Sequence, residues 1–147
     1  MIDVFNDEYF MRKALQEAQA AFDKGEIPVG ALVVVDNKII ARTHNLTELL
    51  HDVTAHAEMQ AITSAANFLG GKYLLGCTLY VTLEPCQMCA GALYWSQVSK
   101  IVFGAADDIR GYRAMGTKLH PKTTVVNGVL EEECGQLVKV FFKQRRG

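Results

Sequence analysis

The chain has 147 residues, half of them hydrophobic and 21% charged, with a net charge of −1 at pH 7. That length supports a substantial buried core and predicts one domain, residues 1–147. Near-zero net charge excludes attraction to polyanions over the whole surface, so any nucleic-acid contact has to come from a local basic patch.

The chain opens with Met1-Ile2-Asp3-Val4-Phe5-Asn6-Asp7-Glu8, acidic and without the apolar core of a signal peptide. No apolar run reaches membrane-span length. The expectation is a cytoplasmic protein with no membrane partner, whose thiols stay reduced. Cys77, Cys86, Cys89 and Cys134 are then read as metal ligands or buried thiols. Residues 7–24 carry Met11, Leu15, Ala18 and Phe22 at helical spacing, with Asn6 or Asp7 able to cap the start and Gly25 after the end. A short loop, 26–30, leads to a strand at 31–35, a turn at Asp36-Asn37 and a second strand at 38–43, the pattern of a hairpin. Residues 45–53 are polar and irregular, a loop. A helix is expected at 55–69, capped by Thr54 and stopped by Gly70-Gly71. Residues 77–82 read as a buried strand, and Glu84-Pro85 as the opening of a helix that runs to Trp95. A strand at 100–104 follows, then a long Gly-containing stretch, 105–122, read as loop. A last strand at 123–126 and a closing helix at 131–146, acidic first and basic last, complete the chain. Strands alternating with helices predict an α/β sandwich with a mixed sheet: an antiparallel hairpin first, helix-linked strands later.

Two short stretches carry chemistry. His56-Ala57-Glu58 and Pro85-Cys86-Gln87-Met88-Cys89 together offer an imidazole, two thiols and a carboxylate not needed as a ligand. Three N/S ligands hold zinc and leave its fourth position for water, the mark of a catalytic rather than a structural site. Both stretches sit where helices begin, and the partial positive charge there favours thiolates. A closed structural site would need a fourth ligand from Cys77, Cys134, His44, His51 or His120, none of which stands in a ligand-like pair. A redox Cys-x-x-Cys reading leaves His56 and Glu58 without a role.

The pattern His56-Ala57-Glu58 with Pro85-Cys86-x-x-Cys89 resembles the zinc-dependent cytidine/deoxycytidylate deaminase superfamily. Glu26-Ile27-Pro28-Val29-Gly30-Ala31, Thr54-Ala55, Leu79 to Glu84, Met88-Cys89-Ala90-Gly91-Ala92, Val102-Phe103-Gly104-Ala105 and Phe141-Phe142-Lys143 extend the likeness to its bacterial tRNA adenosine deaminases. The resemblance implies a three-layer α/β/α sandwich of the cytidine deaminase type with a mixed five-stranded sheet. It also implies one Zn²⁺ per chain, held by His56, Cys86 and Cys89. Glu58 would shuttle protons while adenosine becomes inosine at the wobble position of a tRNA anticodon stem-loop. Pro28, Asn45, the backbone at Ala57, and Asp107 would meet the substrate. Lys143, Arg145 and Arg146 would meet RNA, and two chains would form a homodimer. The stretch Tyr112 to Lys118 departs from many such enzymes, and Gly91 to Trp95 looks more like bacterial guanine deaminases. A free nucleobase or nucleotide deaminase of the same superfamily is therefore the alternative.

Overall fold

The computed structural model describes residues 4–146; Met1 to Asp3 of the acidic lead, and Gly147, lie outside the described residues. Nine elements follow in the order α1 (Asp7–Asp23), β1 (Gly30–Val35), β2 (Lys38–His44), α2 (Ala57–Leu69), β3 (Thr78–Leu83), α3 (Gln87–Ser96), β4 (Lys100–Ala105), β5 (Thr124–Asn127) and α4 (Glu131–Arg146). The strands form one sheet in the order β2-β1-β3-β4-β5. β1 runs antiparallel to both β2 and β3, whereas β3, β4 and β5 are mutually parallel, so the sheet is mixed as expected.

Local chemistry explains the elements. Asn6 caps α1 by accepting from the Tyr9 N–H at 2.8 Å. Asp36 and Asn37 both have positive φ, the twist that a two-residue hairpin turn demands and that these residues tolerate. β1, β3 and β4 are buried almost throughout, because helices cover both sheet faces. On one face Ala31, Val33, Leu79, Val81, Ile101 and Phe103 pack with Ala57, Ala61 and Ala65 of α2 and Ala90 and Leu93 of α3. On the other, Leu32, Val34, Tyr80 and Val102 pack with Phe10, Met11 and Ala14 of α1 and Cys134 of α4. The result is the expected three-layer sandwich.

Small residues let the layers approach. A Cβ on Gly30 would lie 2.0 Å from the Ala14 carbonyl oxygen and 2.6 Å from the Ala18 nitrogen, so α1 rests directly on the start of β1. A polar network ties the same helix to the end of β2. Glu17 accepts from Arg42 Nε at 2.7 Å and from His44 Nδ1 at 2.9 Å, and Lys24 Nζ lies 3.0 Å from His44 Nε2. Partial burial pushes the Glu17 carboxyl up, but hydrogen bonds from His44 and Arg42 outweigh it and hold the carboxyl below its ordinary 4.5.

A depressed carboxyl stabilises the fold above its unfolded value, and that contribution disappears as pH falls through the lower folded value. Glu17→Gln should therefore lose about 1 kcal/mol at pH 7, the scale of a partly buried charged hydrogen bond discounted for solvent screening. Below pH 4.5 its penalty should shrink toward zero. Thermal melts of both proteins between pH 3 and 7 check this; a penalty that persists unchanged at pH 3 contradicts it.

Candidate active site

Parallel strands β3 and β4 end on the same side of the sheet, and ligands commonly bind outside such carboxyl ends. α3 starts immediately after β3, and α2 is brought to the same edge by the end of β2. Thr43 Oγ1 donates to the Ala57 carbonyl at 2.7 Å, and Gln60 Nε2 donates to the His44 carbonyl at 2.7 Å. Two helix N-termini thus converge at one mouth.

The helices begin later than their sequences suggest. Thr54 does not cap α2, because its N–H and hydroxyl both donate to the Asp52 carboxylate, at 2.8 and 2.7 Å. His56 is the N-cap residue, in extended conformation. Pro85 likewise does not open α3: its carbonyl accepts from the Tyr112 N–H at 2.8 Å, and Cys86 pairs as a short antiparallel bridge with Gly111. Cys86 is the N-cap, with φ −72° and ψ 174°. Neither His56 nor Cys86 makes a side-chain capping bond, so both side chains are released to meet each other.

They do meet. Cys86 Sγ lies 3.6 Å and Cys89 Sγ 3.5 Å from His56 Nδ1, and the three candidate ligand atoms all fall within 4.8 Å of one another. With Zn–N near 2.0–2.1 Å and Zn–S near 2.3 Å, a tetrahedral site has N···S edges of about 3.5 Å. The two observed N···S distances match those edges, and one imidazole with two sulfurs is a zinc donor set. Among the described residues this is the one His/Cys/Asp/Glu group with metal-ligand spacing.

Hydrogen bonds within the cluster bias where its protons lie. Cys86 is held down to about 4, chiefly by a hydrogen bond from Cys89, with His56 adding to it against the effect of burial. The Cys89 thiol is pushed far up by the same bond and by burial. His56 is raised, first by its hydrogen bond to Cys86. A zinc ion held by His56, Cys86 and Cys89 would take the place of these protons, since its ligands must be deprotonated.

Glu58 stands beside the cluster, hydrogen-bonded to Cys89 but not among the candidate ligands. It is 4% exposed, in the first turn of α2. Burial raises its carboxyl to about 7, and its own backbone N–H and the His56 charge only partly oppose this. A carboxyl poised near neutral pH suits a group that must both take and give a proton.

The remaining predicted positions divide. Asn45 is buried, its N–H donating to the Val29 carbonyl at 3.1 Å and its Nδ2 to Thr47 Oγ1 at 3.3 Å. It therefore adjoins the segment that carries Pro28. Asp107 uses Oδ1 to accept from the Ile109 and Arg110 N–H groups, at 3.1 and 2.9 Å, so part of its carboxylate serves its own turn. Arg145 donates to the Gly25 carbonyl and lies 4.8 Å over the Phe141 ring, bringing the basic end of α4 beside the 25–28 loop; Lys143 and Arg146 are exposed. Two surface cavities, about 570 and 690 Å³, lie elsewhere and include none of these residues.

Two buried carboxylates escaped sequence reasoning. Glu26, 1% exposed, accepts from the Glu48 and Leu49 N–H groups at 3.0 and 2.8 Å and so pins the loop after Asn45. Glu84, 3% exposed, does the same for the loop after β4. The available signal was a charged residue set inside an apolar run, as in Leu83-Glu84-Pro85, where only a polar partner makes burial tolerable.

The profile of the cytidine and deoxycytidylate deaminase zinc-binding region matches residues 5–105. A protein named tRNA-specific adenosine deaminase from Bacillus subtilis (strain 168) is 48% identical over 95% of this chain and 91% of its own length. Its namesake from Aquifex aeolicus (strain VF5) is 46% identical over 95% of each. A solved structure from work on A-to-I editing by tRNA:A34 deaminases superposes with a TM-score of 0.81 at 39% identity, covering 88% of this chain and 98% of that one. The guanine deaminase from Nitrosomonas europaea superposes at 0.77 with 27% identity, over 91% and 83%.

Proposed function

The chain belongs to the cytidine and deoxycytidylate deaminase family, and from that membership we propose that it hydrolyses adenosine to inosine at the wobble position of a tRNA anticodon. The observation that carries the substrate is the end-to-end match to tRNA-specific adenosine deaminases, 48% and 46% identical over 95% of the chain. The reaction draws its support from the buried Glu58 beside three zinc-competent ligands.

His56, Cys86 and Cys89 would hold the zinc. When bound, the ion supplies a Lewis acid that brings a water's pKa down to about 7. Glu58 accepts a proton from the attacking water and delivers it to the purine ring nitrogen as C6 is attacked. It then takes the remaining proton from the new C6 hydroxyl and passes it to the amine, so the C6–N bond breaks as the C6 carbonyl forms, and water and adenosine yield inosine and ammonia. Burial keeps this carboxylate out of competing solvent and near its neutral point. Asn45, Pro28 and the backbone at Ala57 would grip the nucleoside, with Asp107 on the adjoining loop. Lys143, Arg145 and Arg146 would extend the contact along the RNA backbone. The expected setting is the cytoplasm. A second copy of the chain is the expected partner, and Trp95, 76% exposed on α3, supplies apolar surface for it rather than filling the core.

One observation favours a second reading. The guanine deaminase from Nitrosomonas europaea superposes nearly as well as the tRNA:A34 deaminase, with a TM-score of 0.77 against 0.81. A free-base deaminase would use the same cluster and the same Glu58. Incubating the zinc-loaded protein with an adenosine-bearing anticodon stem-loop, and in parallel with guanine, cytosine and adenosine, separates the two. Inosine in the stem-loop is the expected result. Turnover of a free base with the stem-loop untouched overturns the proposal.

A further inference from the structure

We propose that Glu84 and Arg113 are positioning residues that fasten the loop after β4 onto the metal-binding motif, and so set the grip on substrate rather than the chemical step. Glu84 ends the run that leads from β3 into Pro85 and Cys86. Its Oε1 accepts from the Asp107 N–H at 3.1 Å and from the Arg113 guanidinium at 2.8 Å, while its Oε2 accepts from the Arg113 N–H at 3.1 Å. One carboxylate thus holds both ends of the 107–113 segment.

The loop's middle is bound to the ligand motif itself. Gly111 bridges to Cys86, and the Tyr112 N–H donates to the Pro85 carbonyl at 2.8 Å. A Cβ at Gly111 would stand 2.3 Å from Glu84 Oε2 and 2.4 Å from the Asp107 carbonyl oxygen, so only glycine lets the loop close over the carboxylate. Arg113 also lies 5.0 Å over the Phe103 ring, anchoring the loop to β4. Three donors, one of them charged, satisfy a carboxylate that burial would otherwise penalise. The outward side of the segment, Asp108, Ile109 and Arg110, is exposed at the mouth beside Cys86.

Arg113 supplies both the backbone N–H and the guanidinium that close the far end of the latch. The effect on substrate rests on the proposed function; the latch itself does not. Loosening the loop removes contacts made equally in ground and transition states, which raises KM and spares kcat.

The test uses zinc-loaded wild type, Glu84→Gln, Arg113→Ala and Arg113→Lys. Three quantities are read: zinc per chain, hydrogen exchange of the 107–113 amides, and kcat and KM on the adenosine stem-loop. Glu84→Gln places an NH₂ against backbone N–H donors, and Arg113→Ala removes the charged partner. Both should speed exchange in 107–113 about tenfold or more, keep zinc near one per chain, and raise KM about five- to tenfold with kcat within about twofold. Arg113→Lys should fall between Arg113→Ala and wild type, because an ammonium keeps the charge but not the fork. Unchanged exchange, loss of zinc, or a fall in kcat at constant KM each overturns the proposal. If wild type leaves the stem-loop untouched, the function reading fails, and the exchange and zinc readings alone decide the latch.

Discussion

Glu58→Gln is expected to cut turnover of the adenosine stem-loop by about 10²–10⁴-fold while zinc stays at one per chain, the loss typical of removing a positioned acid–base group. Glutamine keeps the size and one acceptor oxygen but cannot carry a proton between water, ring nitrogen and amine. KM should change little, because the lost interaction belongs to the transition state. Retained turnover within a factor of about ten would remove Glu58 from the proton path.

The same substitution has a second, opposite signature in stability. Burial raises the Glu58 carboxyl to about 7 in the metal-free fold, against an ordinary value of 4.5. An acid whose folded value is raised opposes folding above its unfolded value, and the penalty is complete above the folded one. Metal-free Glu58→Gln should therefore be more stable than wild type at pH 8, by up to about 3 kcal/mol, and indistinguishable from it near pH 4. Thermal melts at the two pH values check the sign. A penalty of this sign would fit the acid–base role proposed for Glu58.

Glu58 and the ligands beside it also mark how far sequence reasoning reached. His56-x-Glu58 and Cys86-x-x-Cys89 were legible because each is held by local spacing at a helix start. The helices themselves followed from periodicity to within about a turn. The caps did not follow, because they were settled elsewhere: Asp52 captures Thr54, and Gly111 and Tyr112 claim the backbone of Cys86 and Pro85. Glu84 was beyond reach for the same reason, since its partners stand 23 and 29 residues away in a loop with no period of its own. Glu26 holds amides 22 and 23 residues downstream. Loops that build the mouth are pinned by long-range hydrogen bonds to single buried carboxylates, and a pattern read along the chain registers only that a charge sits where the surroundings are apolar. Trp95 illustrates the converse: an aromatic on an apolar helix reads as core or interface, and only the packing of Ala90 and Leu93 inward leaves it on the surface.

Removing the metal should abolish activity without unfolding the chain. The two apolar layers, one under α2 and α3 and one under α1 and α4, pack around the sheet with Cys86 and His56 outside them at its edge. The fold therefore does not hang on the ion as a zinc finger's does. Dialysis against a strong chelator should reduce turnover at least about 10³-fold and leave the far-ultraviolet circular dichroism unchanged; one equivalent of Zn²⁺ per chain should restore both activity and melting temperature. The melting temperature should nonetheless drop, since a ligand at 1,000 times its Kd adds about 4 kcal/mol, or roughly 8–16 °C for a chain of this size. Cys86→Ala and Cys89→Ala should reproduce the chelated state and be insensitive to added zinc. Metal release should also disturb the mouth selectively, because Cys86 carries the bridge to Gly111 and shares its turn with Pro85. Hydrogen exchange should accelerate at 85–87 and 107–113 and stay slow in β1 and β3, whose residues are buried from both sides. Full activity after the metal is removed, or global unfolding on chelation, would contradict a catalytic zinc set at the edge of a self-sufficient core.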